Sequence, residues 1–428
     1  MAEPIPAEQL LIDLIRQPNF KPIRRCFIRR RLPDGKYEPE WRLISQIDGV
    51  NTVLKWGSYS IKSEETGDGS IGEFSISQMT MEFENEDGKF NWENDGRSLW
   101  YGYLNRKFTK LRVETAYFDF DAGQEVGNAI IFEGLIDKVT TGDNQKASVK
   151  CIGYQDVLHK IDIRSLWIGA RPPTIMASQL IDLMLYNERT LEFFEPGSIN
   201  LGVDYRIKTS ELTLTFWHNL KMICKKSSSV PLIIGNRLYV QDSKAGEELP
   251  FVFAGIGASR KDIDIYKIDQ DQEGADKVRV WWQVQDTNIE AKSTDPVLLL
   301  KYLDSPEVVS LGEVDDSTVQ YKQSIVDRLL TKWQYPRPTV DIEARFMNGL
   351  VWPLHKARIN NPGLYTDNDN GFFWDAWFWN DGSNWNGMSG AVSILPDELW
   401  LVDKVTYDID KWKTSISFSK ILENVESD

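Results

Sequence analysis

The strongest constraint in this chain is a two-residue alternation of apolar and polar side chains, broken by short turns, that occurs in two separate stretches. Met79, Met81 and Phe83 alternate with polar neighbours, and Leu111, Val113, Thr115 and Tyr117 do so again. Ile130 to Ile136 and Ala147 to Ile152 form two further runs around the turn Thr141-Gly142-Asp143-Asn144. Alternation places every second side chain on the same face of a strand. Several such strands joined by short turns bury that face by closing into a small barrel or packing as a sandwich. Past residue 250 the pattern returns in Val278, Val280 and Trp282, in Val340, Ile342, Ala344 and Phe346, and in Trp412, Thr414, Ile416 and Phe418. No fixed period relates the two stretches, which excludes a solenoid.

Between them the period changes. Thr174 stands where it can cap a helix running to about Tyr186, with Ile175, Leu180, Ile181 and Met184 on one face. Ser210 can cap a second helix carrying Phe216, Trp217, Leu220, Ile223 and Cys224, and the hairpin VPLII-Gly235-Asn236-RLYV follows. A third helical pattern spans Thr318 to Lys332 and stops before Pro336. At 428 residues the chain is too long for a single core. The expected class is α+β and β-rich, with two small antiparallel barrels. Residues 1–34 form an amphipathic helix (Leu10, Leu11, Leu14, Ile15) and a basic arm, 35–160 the first barrel, and 161–245 an α+β domain. Residues 246–428 form the second barrel, with a helical insertion at about 300–335 and an aromatic loop at 372–385.

The chemistry-bearing residues are scattered. Cys26, Cys151 and Cys224 lie far apart, with no CxxC pair and no disulfide framework. His159, His218 and His355 each stand alone, without metal-ligand spacing. There is no GxSxG elbow or phosphate-binding loop, and Gly255-Ile256-Gly257 lacks the third glycine of a dinucleotide fingerprint. Asp269 to Gly274 and Asp367 to Gly371 have partial calcium-loop spacing but no glutamate at the twelfth position, and read as polar turns. No catalytic, cofactor or metal residues are assigned, and no enzymatic activity is expected. The net charge of −15 opposes binding to the outside of a nucleic acid and suits a wall past which DNA slides. The first residues lack a secretory pattern, and no apolar run approaches the roughly 18 residues that span a bilayer. Synthesis in a cytoplasm is expected.

Two local features stand out as candidate partner interfaces. The run 372–385 gathers Phe372, Phe373, Trp374, Trp377, Phe378, Trp379 and Trp385. Such rings anchor subunit interfaces, or stack on sugars in a carbohydrate-binding or glycoside-cleaving protein. The second feature is Arg24, Arg25, Arg29, Arg30 and Arg31, read either as a strand whose cations pair with the acidic body or as an arm docking on a neighbour.

The order of segments resembles the phage tail hub or baseplate hub family. The resemblance runs from FSISQMTMEFENEDGKF (Phe74 to Phe90) through IIFEGLIDKVTT and VKCIGYQDVLHKI. It continues through LTFWHNLKMICKKSSSVPLIIGNRLYVQ to DKVRVWW and WKTSISFS, spanning most of residues 20–425. It implies two related barrels per chain, a homotrimer with pseudo-sixfold symmetry, and a place at the virion tail tip or baseplate. The implied partners are a tail tube or distal-tail protein and a spike or fibre, with DNA only in passage through the lumen. A hexameric distal-tail adaptor is the alternative within the same machinery. The aromatic run and the basic stretch depart from that pattern.

Overall fold

The structure is a computed structural model. It describes residues 7–17, 21–63, 77–86, 88–91, 103–104, 109–142, 145–163, 172–213, 215–243, 246–254, 263–273, 279–284, 287–294, 306–309, 337–360 and 399–421, with 296, 299 and most of 323–330. The run 372–385, with Phe372, Phe373, Trp374, Trp377, Phe378, Trp379 and Trp385, lies outside the described residues.

The alternating runs form strands where expected. The first region contributes β1 (Lys21–Arg29), β2 (Arg42–Leu43), β3 (Gln46–Ile47), β4 (Val50–Asn51), β5 (Val53–Lys55), β6 (Ser58–Lys62), β7 (Gln78–Glu84), β8 (Lys110–Asp119), β9 (Gln124–Thr141) and β10 (Lys146–Gly153). Seven of them make one sheet in the order β2-β1-β8-β9-β10-β7-β5. Among the described residues no strand pair closes this sheet, so the first of the two expected barrels is a curled half-barrel, with Thr52 N–H beside β5 donating to Ser45 O beyond β2 (3.0 Å). The basic stretch is not an arm. Alternate residues of β1 enter the core, with Cys26 and Ile28 fully buried, and the strand pairs along its whole length with β8.

The middle region holds α2 (Gln155–Leu158), β11 (Thr174–Met176), α3 (Ala177–Leu185), α4 (Glu188–Leu191), β12 (Glu195–Asn200), β13 (Arg206–Lys208), α5 (Phe216–Ser227), β14 (Ser229–Ile234) and β15 (Arg237–Asp242). Both expected caps are displaced. Thr174 is consumed by pairing with Lys208, and the start of α3 is instead served by Asp204, which accepts from Ser178 N–H (3.1 Å) and Oγ (2.6 Å). Ser210 lies in a short 3-10 turn, and Thr215 caps α5 by accepting from His218 N–H. The Gly235-Asn236 hairpin joins β14 to β15 as expected, with Gly235 at φ +60°.

The last region supplies β16 (Glu248–Ala254), β17 (Ile263–Glu273), β18 (Arg279–Val284), β19 (Thr287–Lys292), β20 (Pro306–Val309), β21 (Arg337–Arg345), β22 (Lys356–Asn360), β23 (Leu399–Asp408) and β24 (Lys413–Lys420). Six of these close a barrel in the order β22-β16-β17-β21-β24-β23, with β23 returning to β22. The barrel is antiparallel except around β16, which lies parallel to both of its neighbours. The β19-β18-β20 sheet stands apart from it. Val280, Ile289 and Ala291 join Val326, Leu329 and Leu330, from helical turns within 323–330, in the hydrophobic cluster of the middle region. Val326, Leu329 and Leu330 of the insertion thus belong to the middle core and not to the barrel interior.

Register reveals an internal repeat. The strands β5-β7-β10-β9-β8 and β17-β21-β24-β23-β22 follow one spatial order. Leu135-Ile136-Asp137-Lys138-Val139-Thr140 corresponds to Leu401-Val402-Asp403-Lys404-Val405-Thr406. In each, the aspartate is the extra residue of a bulge: Ile136 and Lys138 face consecutive residues Cys151 and Lys150, as Val402 and Lys404 face Phe418 and Ser417. A second shared bulge falls at Leu54, between Val53 and Lys55, and at Tyr266, between Ile265 and Lys267. Ile136 N–H donates to Thr109 O (3.0 Å), and Val402 N–H donates to His355 O (2.8 Å). The curled half-barrel of the first region and the closed barrel of the last are versions of one unit. The shared sequence is six residues long, and the similarity elsewhere lies in pairing.

One continuous hydrophobic cluster runs through both barrels. Helix α1 (Ala7–Arg16) is part of it, burying Leu11, Ile12, Leu14 and Ile15 against β8, β9 and β17. Gly127, at φ +70°, permits that approach: a Cβ there would stand 2.6 Å from Leu11 Cδ1. Arg345 of β21 holds the helix end, donating to Ile15 O (3.0 Å) and Gln17 O (2.8 Å).

His355, beside the first residue of β22, packs on Trp352 with ring centroids 5.1 Å apart, and its Nδ1 is buried without a hydrogen-bond partner. Burial pushes its pKa down to about 4. Between about pH 6.5 and 4 the unfolded chain binds the proton that the folded chain refuses, so this contribution to stability is lost on acidification. The expected loss between pH 7 and pH 5 is about 2 kcal/mol. Urea unfolding at both pH values checks it, and His355→Gln should remove most of the difference between them.

Candidate functional site

Among the described residues, no group of three or more His, Cys, Asp or Glu side chains is arranged to hold a metal ion. Asp269 to Glu273, one of the two partial calcium loops, is the end of strand β17. The cleft between Ile61, Ser77, Gln155 and Leu232 measures about 10 Å³, the least that holds one water. The three thiols are fully buried, and burial pushes each of their pKa values up, so none is a ready nucleophile. The polar side chains brought together by the fold sit at seams between its parts, and the seam between the barrels is the most elaborate.

That seam is built on strand exchange. After β5 the chain leaves the first sheet, and Ser58–Lys62 pairs with Lys404–Asp408 of β23 in the second barrel. Ser63 extends the contact, its N–H donating to Asp403 O (2.9 Å). Asp410 fixes the start of β6 by accepting from Trp56 N–H (2.8 Å) and Gly57 N–H (3.2 Å). Arg24 of β1 reaches the same turn, donates to Ile409 O (2.8 Å), and lies 5.0 Å from the Trp56 ring and 5.4 Å from the Trp412 ring. Desolvation lowers its pKa, and the nearby Asp410 carboxylate opposes that shift. On the other side, the turn after β21 inserts Asn348 between Thr115, which donates its hydroxyl, and Gly127, whose carbonyl accepts from the Asn348 amide. Tyr117 donates to Phe346 O (2.5 Å).

The remaining arginines are engaged inside the chain. Arg25 pairs with Glu125 through two hydrogen bonds, one of 2.8 Å. Arg29 donates to Glu38 O. Arg30 donates to the Glu38 carboxylate (2.8 Å) and lies 4.4 Å from the Tyr103 ring. Arg31 donates to Gly35 O (2.7 Å) and stands 3.7 Å from Glu192 of the middle region. All five thus have partners within the chain, carboxylates for Arg24, Arg25, Arg30 and Arg31 and a backbone carbonyl for Arg29.

A second seam joins the first barrel to the middle region around Lys110, which is 4% exposed. Its ammonium lies 4.4 Å from the Tyr37 ring, 4.8 Å from Phe193 and 5.5 Å from Tyr154, and it donates to Glu192 O. Beneath it, buried Glu133 accepts from Arg112 Nε (2.7 Å) and from the Tyr154 hydroxyl (2.7 Å). Desolvation brings the Lys110 pKa down to about 8, against the pull of Glu133. Nothing in the sequence singled out Lys110, Glu133, Asn348 or Asp410, since carboxylates and lysines are abundant. The pair LIDKVT and LVDKVT was the available signal for the exchanged edge.

No family model matches the sequence, and no curated protein matches it. Among solved structures, the chain is similar to prophage tail protein gp18 from Listeria monocytogenes EGD-e, at 8% identity and TM-score 0.49, covering 94% of this chain and 95% of that one. It is similar to the 43 kDa tail protein of prophage MuSo2 from Shewanella oneidensis, at 9% identity and TM-score 0.49, covering 93% and 98%. A third is the lidded Francisella PdpA-VgrG complex, at 10% identity and TM-score 0.46, with 93% of this chain aligned to 52% of that one.

Two outcomes follow for the seams. Asp410→Ala leaves the Trp56 and Gly57 N–H groups without their acceptor and removes the carboxylate 4.0 Å from Arg24, and should lower unfolding stability by about 2–3 kcal/mol, with a smaller loss for Asp410→Asn. Urea titration measures both. For Lys110, the unfolded chain binds more protons between about pH 8 and 10.5, so wild-type stability should rise with pH relative to Lys110→Met. The gap between the two proteins should shift by about 2 kcal/mol from pH 7.5 to pH 10.

Proposed function

We propose that this chain is a structural subunit of a phage-type tail hub, set at the virion tail tip or baseplate after synthesis in the host cytoplasm. The observation that carries the reading is the repeat: two barrels of one design, sharing two bulge positions and one core. Three such chains place six similar barrels in a ring, and ring closure satisfies heterologous contacts without leaving a growing end. A ring of that kind offers six quasi-equivalent surfaces to a tail tube or distal-tail protein and three-fold surfaces to a spike or fibre. DNA would pass through the lumen, and the net charge of −15 per chain disfavours its adhesion.

The mechanism is mechanical and not enzymatic. The buried and half-buried polar groups of the two seams are spent inside the chain: Asp410 on the start of β6, Arg24 on Ile409 O, and Glu133 on Arg112 and Tyr154. That suits a part that transmits load between neighbours, since breaking such a buried partnership costs several kcal/mol. Native mass measurement of the full chain, alone and with tail components, tests the reading. Three copies are expected. Six copies would favour the distal-tail adaptor, and a monomer under all conditions, or cleavage of a glycan, would overturn it.

A further inference from the structure

Register aligns the two repeats residue by residue. Across the half-barrel from β5 to β9, Lys55 stands opposite Glu82, Glu82 opposite Ser148, and Ser148 opposite Thr140. Across the closed barrel from β17 to β23, Lys267 stands opposite Glu343, Glu343 opposite Ser415, and Ser415 opposite Thr406. Each row reads Lys, Glu, Ser, Thr, and every member is exposed or half-exposed. The flanks agree as well. The bulge residue before each lysine is a large apolar side chain held in solvent, Leu54 at 51% exposure and Tyr266 at 50%. Lys146 and Lys413, on the same outer face as the serines, each pair with the glutamate of their row, at 3.9 Å from Glu82 and 3.2 Å from Glu343. The rows differ at their margins, where Lys267 also pairs with Asp269, and Thr406 shares a 2.7 Å hydrogen bond with Ser60 of β6.

Opposite charges and paired hydroxyls are good cross-strand neighbours, which accounts for the order within one row. It does not account for the same order in both. At equivalent places in the interior, Met81 corresponds to Ile342, Phe83 to Ala344 and Cys151 to Phe418. Elsewhere on the outer face, Thr80 corresponds to Asp341, Glu84 to Arg345 and Lys150 to Ser417. Exposed positions are ordinarily free to differ, since changes there cost little stability. A row that is the same in both repeats, and turned to solvent in both, fits one external surface twice.

We propose that the two rows are equivalent docking sites for one protein, present at two copies for each copy of this chain. The inference rests on the hub reading and names the surface that meets the tail tube. Two equal sites on one chain call for two equal partner surfaces, which a ring with twice as many identical members supplies. The complementary surface carries carboxylates for Lys55 and Lys146, or for Lys267 and Lys413, and an apolar recess for Leu54 or Tyr266.

Native mass spectrometry and titration calorimetry of the full chain with the tail tube protein of the same particle test this. Two tube protomers should bind per chain. Leu54→Asp and Tyr266→Asp should each weaken binding at least about tenfold, and together at least about a hundredfold. Their urea midpoints should stay at the wild-type value, because both side chains already stand in solvent. Ser148→Arg and Ser415→Arg should repeat the pattern from the polar part of each row. A wild-type trimer that binds no tube protein, or binding that is unmoved by changes in one row or in both, would overturn the sites and leave the hub reading standing. Binding losses that only follow losses of stability would likewise reduce the rows to cross-strand pairing. Trimers that pair back to back through these residues would transfer the sites to a second copy of this chain and overturn the assigned occupant. A monomer that takes two tube protomers through the rows would keep the sites and sink the three-copy ring.

Discussion

The pairing of Ser58–Lys62 with Lys404–Asp408 makes two barrels into one body. Without it, β23 would carry an open edge beyond Asp403, and Ser58–Lys62 would have no strand partner among the described residues. Much else at the seam serves that pairing. Asp410 orients the first two N–H groups, Arg24 lies near both flanking indoles, and Asn348 ties the turn after β21 to the opposite wall. These groups are half-buried or buried and mutually satisfied, which is the condition under which polar contacts stiffen an interface.

The sequence made the barrels legible because alternation is a local signal. Met79, Met81 and Phe83 had to share a face, and so did Val340, Ile342 and Ala344. The hairpin at Gly235-Asn236 was legible for the same reason, as was the apolar stripe of α1. Helix starts were misplaced where a distant group did the work, as Asp204 does for Ser178. Long-range pairing was the harder part. Nothing local to Ser58–Lys62 says that its partner lies more than 300 residues away, and nothing local to Val280 or Val326 says which core they enter.

The arginines of β1 and of the two residues after it show how a charge run can be built into a sheet. Arg24, Arg25, Arg29, Arg30 and Arg31 look like a tail only until the strand beneath them is seen. Cys26 and Ile28 point inward, and the guanidinium groups spread over the outside to carbonyls, carboxylates and rings. A neutral outcome of local pairing, and not a free positive patch, is what the acidic body provides. The Lys110 seam follows the same rule at greater depth, with aromatic faces standing in for water.

Cys26, Cys151 and Cys224 bear on how the molecule could be watched. All three sulfurs are walled off, two in the first barrel and one on α5. The intact chain should therefore be silent toward alkylating reagents, and each label gained would time a separate opening event. Two of the reporters would watch the barrel and one the middle region, so a single reagent could tell which part of the molecule loosens first.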